Sequence, residues 1–371
     1  MPKGTFHSYP VGQGFFYSGK IEYSNNTFNF VYDCCKQSVK NHTDSELIGL
    51  IDYYVDTNIK NHCLDMLVIS HFDNDHVNGI SYLLKKISHI DYLVIPYHDE
   101  FDLYMLNLFL FFTDPLEQIN NVILINSTEN GERRFVENSE NLSLPLFERK
   151  NYKVSLKSSF HPLAGIWNFD FFNLSISVSE YNDLHFELQT LLNGDSFENF
   201  IRQSPASVEK IRRIFESTLS KSHTKNDTLN NSSLCLYHSP VFNEKATKLF
   251  FPHYFYRNSW PFEYLHYFHK KRGTLLTGDI NLSIKKRWTE FHRHYHYIQN
   301  DICINYLPHH GSYRNWNKEL RNYLDDCLAV VSVGKSNIYN HPSSILVQQL
   351  FDKQIPLIIC DENYPFKYQI Y

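Results

Sequence analysis

Four side chains of types that bind metal ions lie within six residues of one another in the first quarter of the chain. Residues 70–79 read Ser-His-Phe-Asp-Asn-Asp-His-Val-Asn-Gly, and the candidate ligands are His71, Asp73, Asp75 and His76. Imidazoles suit zinc, manganese or iron, whereas carboxylates shift the preference toward harder ions such as manganese or magnesium. A polar loop whose aspartate caps the next helix would explain this segment alone, but it would not explain the later sites. We interpret the segment as a metal-binding loop.

Further His and Asp side chains follow apolar runs much later in the chain. Asp279 closes the run Leu-Leu-Thr-Gly-Asp, and His309 and His310 follow Tyr-Leu-Pro. His341 stands just before a proline, after the run Ser-Val-Gly. Functional side chains of α/β proteins collect at the carboxyl ends of strands. An isolated histidine is more often structural, but in combination these residues predict one metal-dependent site.

Strand-like and helix-like segments alternate around these residues. The apolar run 66–69 leads directly into the metal-binding loop, a helical pattern follows over 80–90, and a short strand is predicted at 92–95. Other strand-like runs cover 28–31, 121–126, 233–237, 274–276, 302–307, 328–333 and 357–360. This alternation predicts an α/β layered architecture.

The stretch from about 100 to 225 differs from the rest. It contains a helical run near 102–112, a polar loop at 127–141 and a long helical region over roughly 178–221. We interpret this stretch as a partly helical insertion or cover, within a single domain that spans residues 1–371.

Composition limits the function classes. The chain is 42% hydrophobic and 20% charged, which is typical of a globular protein, and its net charge of −5 offers no general attraction to polyanions. The seven cysteines are odd in number and scattered, which favours free thiols in a reducing compartment. The first residues lack the apolar core of a signal peptide, and no apolar run approaches about 18 residues. We expect a cytoplasmic protein without a membrane partner.

Taken together, the motifs resemble the metallo-β-lactamase superfamily, and within it the soluble nuclease-like hydrolase domain of ComEC-type competence proteins. The usual loop HxHxDH corresponds here to His-x-Asp-x-Asp-His at 71–76. Other matching segments are Val-Gly-Gln-Gly at 11–14, Tyr-Asp at 32–33, Asn-Asn-Ser-Ser-Leu at 230–234, Thr-Gly-Asp at 277–279, His-His-Gly-Ser at 309–312, Gly334, Asn337 and His341-Pro342. The resemblance implies an αββα sandwich. Departures are the pair Cys34-Cys35 after Asp33, the missing membrane channel and the 100–225 stretch.

The resemblance implies two divalent ions, manganese or zinc, as cofactors. His71 and Asp73 would hold one ion, Asp75 and His76 the other, and Asp279 would bridge them. Asp75 is also a candidate catalytic carboxylate. Ions so placed would share a hydroxide nucleophile and neutralise charge on a phosphoryl oxygen.

The remaining histidines have less specific implied roles. One of His309 and His310 would complete a metal shell, and the other would face substrate; His309 is also a catalytic candidate. His341 is either a further ligand or a catalytic group that contacts the phosphate or the leaving oxygen. Asp33 would support the metal-binding loop from behind.

Two basic and aromatic segments could bind nucleic acid. Lys285, Lys286 and Arg287 lie between Asp279 and the His-His pair, and residues 251–272 mix aromatic and basic side chains. Such mixtures suit backbone phosphates and stacked bases. A solvated helix face and an aromatic packing cluster would explain the same residues.

The favoured function is therefore a two-metal nuclease or phosphodiesterase acting on nucleic acid or a nucleotide. Alternatives are a hydrolase of another ester, such as a lactone, thioester or phosphocholine-type ester, and a binding module that has lost turnover. An antiviral defence effector, triggered by a regulatory protein partner, is a further hypothesis based on architecture alone.

Overall fold

The computed structural model describes most of the chain outside four long stretches between residues 98 and 270. The described residues are 1–37, 45–72, 74–97, 118–126, 153–157, 159–174, 186–195, 200, 207, 210, 214, 233–241, 271–325 and 327–370. These residues form two β-sheets, the five α-helices named below and several 3-10 turns.

The first sheet has eight strands among the described residues. They are β1 (Lys3–Ser8), β2 (Phe16–Tyr23), β3 (Asn26–Cys34), β4 (Cys63–Val68), β5 (His89–Tyr97), β6 (Ile119–Asn126), β7 (Lys153–Lys157) and β14 (Phe366–Ile370). Their order in the sheet is β14-β1-β2-β3-β4-β5-β6-β7. Antiparallel pairing joins β14 to β1, β1 to β2 and β2 to β3, whereas every pair from β3 to β7 is parallel.

The second sheet has six described strands. They are β8 (Trp167–Phe172), β9 (Cys235–Pro240), β10 (Gly273–Leu276), β11 (Ile302–Tyr306), β12 (Leu328–Ser332) and β13 (Leu357–Cys360). Their order in the sheet is β13-β12-β11-β10-β9-β8. Strands β10 to β13 are mutually parallel, whereas β9 is antiparallel to both β10 and β8.

The helices cover the outer faces of both sheets. Their bounds are α1 (Ser45–Asn58), α2 (Asn74–Val77), α3 (Ile80–Lys86), α4 (Lys285–Tyr295) and α5 (Ser344–Asp352). Buried apolar residues of α1 and α3 pack on the first sheet, and those of α4 and α5 pack on the second. A third core lies between the sheets and is rich in aromatic side chains, Phe6, Phe30 and Trp167 among them. The order of layers is therefore helix, sheet, sheet, helix.

This four-layer arrangement confirms the predicted α/β sandwich. The strands predicted at 66–69, 92–95, 302–307 and 328–333 are present within three residues of their predicted ends. The helix predicted over 80–90 is shorter, because α3 ends at Lys86 and β5 begins at His89. No sequence pattern indicated β1, β2 or β14, which form the antiparallel part of the first sheet.

Part of the stretch from about 100 to 225, predicted to be an insertion or cover over the core, forms strands of the two sheets. Strands β6 and β7 extend the first sheet, and β8 forms an edge of the second. Residues 186–192 are helical, within the long helical region predicted over 178–221. The helical run at 102–112 and the polar loop at 127–141 lie outside the described residues. The single-domain organisation stays a prediction.

No helix in the described part of the chain is long and apolar enough to cross a membrane.

Candidate metal centre

Loops from both sheets converge at one group of histidine and aspartate side chains. His71 and His76 follow β4 of the first sheet, and Asp279 follows β10 of the second. Each residue brings one potential ligand atom to within 4.8 Å of the other two. The residues are also buried, with exposures of 0%, 1% and 4%. We call this group the candidate metal centre.

Asp33, near the end of β3, anchors the loop that carries both histidines. Its Oδ1 accepts the backbone N–H of Ser70 at 2.7 Å, and its Oδ2 accepts the Ser70 hydroxyl at 2.6 Å. The same Oδ2 lies 2.9 Å from Nδ1 of His76. Because an ionised carboxylate only accepts, this contact assigns the proton of neutral His76 to Nδ1 and the lone pair to Nε2.

His71 is oriented by two hydroxyl groups, one from each sheet. Its Nδ1 lies 2.9 Å from Oγ of Ser70 and 3.1 Å from Oγ of Ser233. Since the Ser70 hydrogen is donated to Asp33, the Ser70 oxygen accepts from His71 Nδ1, which leaves the lone pair of the neutral ring on Nε2. Ser233 also accepts the backbone N–H of Asp279 at 2.9 Å. Ser233 therefore connects two members of the centre.

Asp279 faces two imidazoles through a single oxygen. Its Oδ2 lies 3.5 Å from Nε2 of His76 and 3.6 Å from Nε2 of His309. Burial opposes charge on Asp279, but His309, His76 and His310 hold its pKa well below the usual range. Burial also opposes charge on His76, but Asp279 and Asp33 raise its pKa well above the usual value.

The centre fits a divalent cation. Nε2 of His76 is buried without a hydrogen-bond partner among the described residues, and it faces the Asp279 carboxylate. In the neutral tautomer, this arrangement points a lone pair at an anion, which is unfavourable. A proton on Nε2, favoured by the raised pKa of His76, or a metal ion between the two groups supplies the missing positive charge. Two imidazoles and one carboxylate are common donors for zinc and manganese.

The segment after β11 places His309 and His310 by an unusual backbone. Residues Pro308–Gly311 form a short 3-10 turn, inside which both histidines have left-handed φ angles, 47° and 56°. Such angles are uncommon for residues other than glycine and cost free energy. The turn directs the two side chains apart: Nδ1 of buried His310 is 2.7 Å from the Ser332 carbonyl, whereas His309 is partly exposed.

His341 lies beside His309 at the more open side of the centre. The two ring centroids are 5.6 Å apart. Asn337 shapes this loop by accepting the His341 N–H at 2.9 Å and donating to the His341 carbonyl at 2.9 Å. Burial lowers the pKa of His341 to about 4, and His309 and His310 act in the same direction.

A small cavity adjoins the centre. Its volume is about 20 Å³, and its lining includes His76, Asp279, His310 and Tyr306. This space suits one ion or one water molecule. Gly278 lies at its wall with a φ of 53°, and a Cβ atom there would lie 3.0 Å from the Tyr32 hydroxyl. The Thr-Gly-Asp segment thus requires glycine to bring Asp279 into place.

The structure brings together five of the seven predicted ligands: His71, His76, Asp279, His309 and His310. Asp73 and the side chain of Asp75 lie outside the described residues, as do residues 242–270, which hold most of the basic and aromatic 251–272 segment. Their assigned roles stay predictions.

Lys285, Lys286 and Arg287 form the first turn of α4, which begins six residues after Asp279. Lys285 and Lys286 are exposed, and Lys286 lies 3.9 Å from Glu290 one turn later. Arg287 is half-buried.

Sequence reasoning assigned no role to three residues that orient the histidines. These are Ser70, Ser233 and Ser332, the last acting through its backbone carbonyl. Two of them could have been identified from the sequence. Ser70 immediately precedes His71, and Ser233 lies within the Asn-Asn-Ser-Ser-Leu segment. Ser332 had none, because any residue supplies a carbonyl.

Comparisons with known proteins add little to this geometry. No protein-family model matches the sequence, and no curated protein matches it. The chain is similar to a solved structure of unliganded yeast PDE1, with 9% sequence identity, a TM-score of 0.44 and coverage of 100% of both chains. This likeness is weak, and the functional interpretation depends on the residues of the chain itself.

Proposed function

We propose that this protein is a metal-dependent hydrolase of the metallo-β-lactamase type, and that its substrate is a phosphodiester in nucleic acid or a nucleotide. One observation carries the proposal: His71, His76 and Asp279 come from opposite sheets and meet as a buried set of ligands. Buried ionisable groups are costly unless they are paired or bind a metal. Their convergence in a cleft supports a metal-dependent reaction over a structural role.

The described residues would hold at least one ion, and the sequence supplies ligands for a second. His71, His76 and Asp279 form the described set, and Asp73 and Asp75 would add carboxylates from the same loop. Divalent ions so held lower the pKa of a bound water and offset charge on a phosphoryl oxygen.

The surrounding residues would orient the ligands and substrate. Asp33 fixes the ring of His76, and the Ser332 carbonyl fixes that of His310. His309 and His341 stand side by side at the more open edge of the centre. There they could donate hydrogen bonds to a phosphoryl or leaving-group oxygen.

The start of α4 supports an anionic polymer as substrate. Cations in the first turn of a helix are unfavourable, because the amino end of the helix already carries partial positive charge. Lys285 and Lys286 nevertheless occupy this turn and are exposed. The resulting positive potential would attract phosphates, although the net charge of the whole chain is −5.

The proposal is tested with metal-free protein reloaded with Mn²⁺ or Zn²⁺. Substrates are labelled single- and double-stranded DNA and RNA, a small chromogenic phosphodiester, a lactone and a thioester. We expect cleavage of phosphodiesters that requires added metal. Hydrolysis of only the lactone or the thioester would contradict the phosphodiester assignment and support another ester hydrolase.

Asp279→Ala supplies the decisive variant, and exposed Asp352→Ala is the matched control. The first should abolish hydrolysis and lower the metal content, because it removes a ligand. The circular dichroism spectrum should stay unchanged, because the smaller alanine side chain causes no steric clash. The control should retain both properties. Full activity and full metal content in Asp279→Ala would overturn the proposed centre.

A further inference from the structure

A second group of potential ligands lies at the amino end of β4, whereas the candidate metal centre lies beyond its carboxyl end. Cys63 opens β4, and the parallel register places it opposite His89, which opens β5. Sγ of Cys63 is 2.8 Å from Nε2 of His89, and this nitrogen is 3.7 Å from Oδ1 of Asp91. The three donor atoms all lie within 4.8 Å of one another.

The carboxylates at this corner are held in place by neighbouring strands. Oδ1 of Asp91 accepts a hydrogen bond from Asn120 on β6 at 2.9 Å. Asp65, two residues after Cys63, accepts the backbone N–H of Asn29 on β3 at 2.6 Å. Asp65 and Asp91 interact electrostatically with each other, and both interact with Cys63. Two carboxylates beside a thiol concentrate negative potential, which a cation would relieve.

We propose that Cys63, His89 and Asp91 bind a zinc ion, with Asp65 as the adjacent carboxylate. Thiolate, imidazole and carboxylate are the three donor types that zinc uses in proteins, and the sulfur favours zinc over manganese or magnesium. All three ligands are partly exposed, so the ion has an entry path. A tetrahedral ion would separate Sγ from Nε2 by roughly 3.5 Å, which requires only a small rotation of the His89 ring.

Zinc binding at this group requires the Cys63 thiol to lose its proton. Zinc displaces the thiol proton, and a zinc–sulfur bond replaces the sulfur–hydrogen bond as one proton is released. An ion there would join the amino ends of β4 and β5.

Cobalt substitution distinguishes the two metal positions, because the candidate metal centre has no cysteine among its proposed ligands. Metal-free full-length protein is loaded with Co²⁺, and its near-ultraviolet absorption is recorded. We expect a sulfur-to-cobalt charge-transfer band that Zn²⁺ removes by competition. The band should disappear in Cys63→Ser and weaken strongly in His89→Ala.

Two controls make the result specific. Cys327→Ser, at a buried cysteine elsewhere, should keep the band. Asp279→Ala should also keep it, even though this variant loses ions from the candidate metal centre and loses activity. The second proposal can therefore fail or succeed independently of the proposed function. A wild type without the band, or a band that persists in Cys63→Ser, would overturn the zinc site.

Thiol alkylation provides a readout without cobalt. Cys63 is partly buried, whereas the other six cysteines are fully buried. Slow alkylation of native protein, located by mass spectrometry, should therefore modify Cys63 first. Zn²⁺ should slow this reaction several-fold in wild type and in Asp279→Ala. Equal rates with Zn²⁺ and with a chelator would contradict the proposal.

Discussion

Oδ2 of Asp33 lies 2.9 Å from Nδ1 of His76, a residue 43 positions later in the chain. The same carboxylate holds the backbone and hydroxyl of Ser70, which in turn contacts His71. One buried side chain thus orients His76 directly and His71 through the Ser70 hydroxyl. Such outer contacts of metal ligands strongly affect metal affinity.

Asp33→Asn should weaken metal binding by roughly 10–100-fold. The amide keeps the size of the side chain, but its nitrogen cannot accept a hydrogen bond, so either Ser70 N–H or the Ser70–His76 pair loses its acceptor. Competition with a chromogenic chelator measures the affinity. Asp352→Asn is the exposed control. If Asp33→Asn bound metal as tightly as wild type, Asp33 would not position the ligands.

Charge reversal of Lys285, Lys286 and Arg287 to glutamate should weaken polymer binding far more than cleavage of a small phosphodiester. Contacts to backbone phosphates contribute binding that depends on salt, so the slope of log K against log salt should fall by about one per lost contact. Fluorescence anisotropy at several salt concentrations measures this slope.

The combined variant Lys60→Glu, Lys318→Glu and Lys353→Glu, at three exposed positions, has the same net charge and is the control. Glutamate in the first turn of α4 is favourable to the helix, so loss of binding would not reflect a weakened helix. Equal loss on polymer and small substrate would indicate damaged folding. If neither polymer binding nor cleavage of the small substrate were lost, the three residues would be an ordinary solvated helix face without a role in binding.

His238 should make the fold sensitive to acid. The Trp167 indole donates to its Nδ1 at 3.4 Å, and its Nε2 lies 2.8 Å from the Tyr17 hydroxyl. Burial lowers the pKa of His238 to about 3, so the folded state holds it neutral. As pH falls below about 6.5, His238 binds a proton in the unfolded chain but stays neutral in the folded chain. The free energy of unfolding therefore decreases as the pH falls toward 3.

His238→Gln should lose some stability at pH 7, because the core contacts change, but its stability should depend less on pH. The difference in slope between wild type and variant should approach roughly 1.4 kcal/mol per pH unit. Urea unfolding of metal-free protein at pH 7, 6 and 5 measures it, and exposed His161→Gln is the control. Parallel pH profiles for wild type and His238→Gln would exclude this role.

Mn²⁺ should support turnover better than Zn²⁺. The prediction depends on the sequence, which places three carboxylates, Asp73, Asp75 and Asp279, among the proposed ligands. Asp73→His removes one negative charge and adds a softer donor, so it should shift the optimum toward zinc without abolishing activity. Zinc binds nearly any such site more tightly than manganese, so activity is measured on protein loaded with each ion separately. A wild type more active with zinc, and unchanged in preference by Asp73→His, would contradict the prediction.

The sequence was most informative where chemistry and local pattern coincide. An apolar run that ends in His or Asp predicts both a strand and the position of a ligand, and β4, β10 and β11 have this form. The convergence of His71, His76 and Asp279 could be anticipated because the carboxyl ends of parallel strands collect functional side chains.

The parts that could not be predicted depend on contacts between distant residues. Strands β1, β2 and β14 have mixed polar and apolar patterns, and β1 pairs with a strand from the other end of the chain. No local pattern reports such pairing. The group of Cys63, His89 and Asp91 could not be predicted for the same reason. Cys63 and His89 become neighbours only through the register of β4 and β5.

The division of ligands between the two sheets has a consequence for assembly. The loop with His71 and His76 is complete once the first sheet forms, but Asp279 arrives only when the second sheet packs against it. Under the proposed function, neither sheet alone supplies the full set of ligands, so a partly folded chain would bind the metal weakly. Metal uptake during refolding should therefore come later than the formation of secondary structure. It should coincide with burial of the aromatic core between the two sheets, so metal binding would report when the sheets pack together.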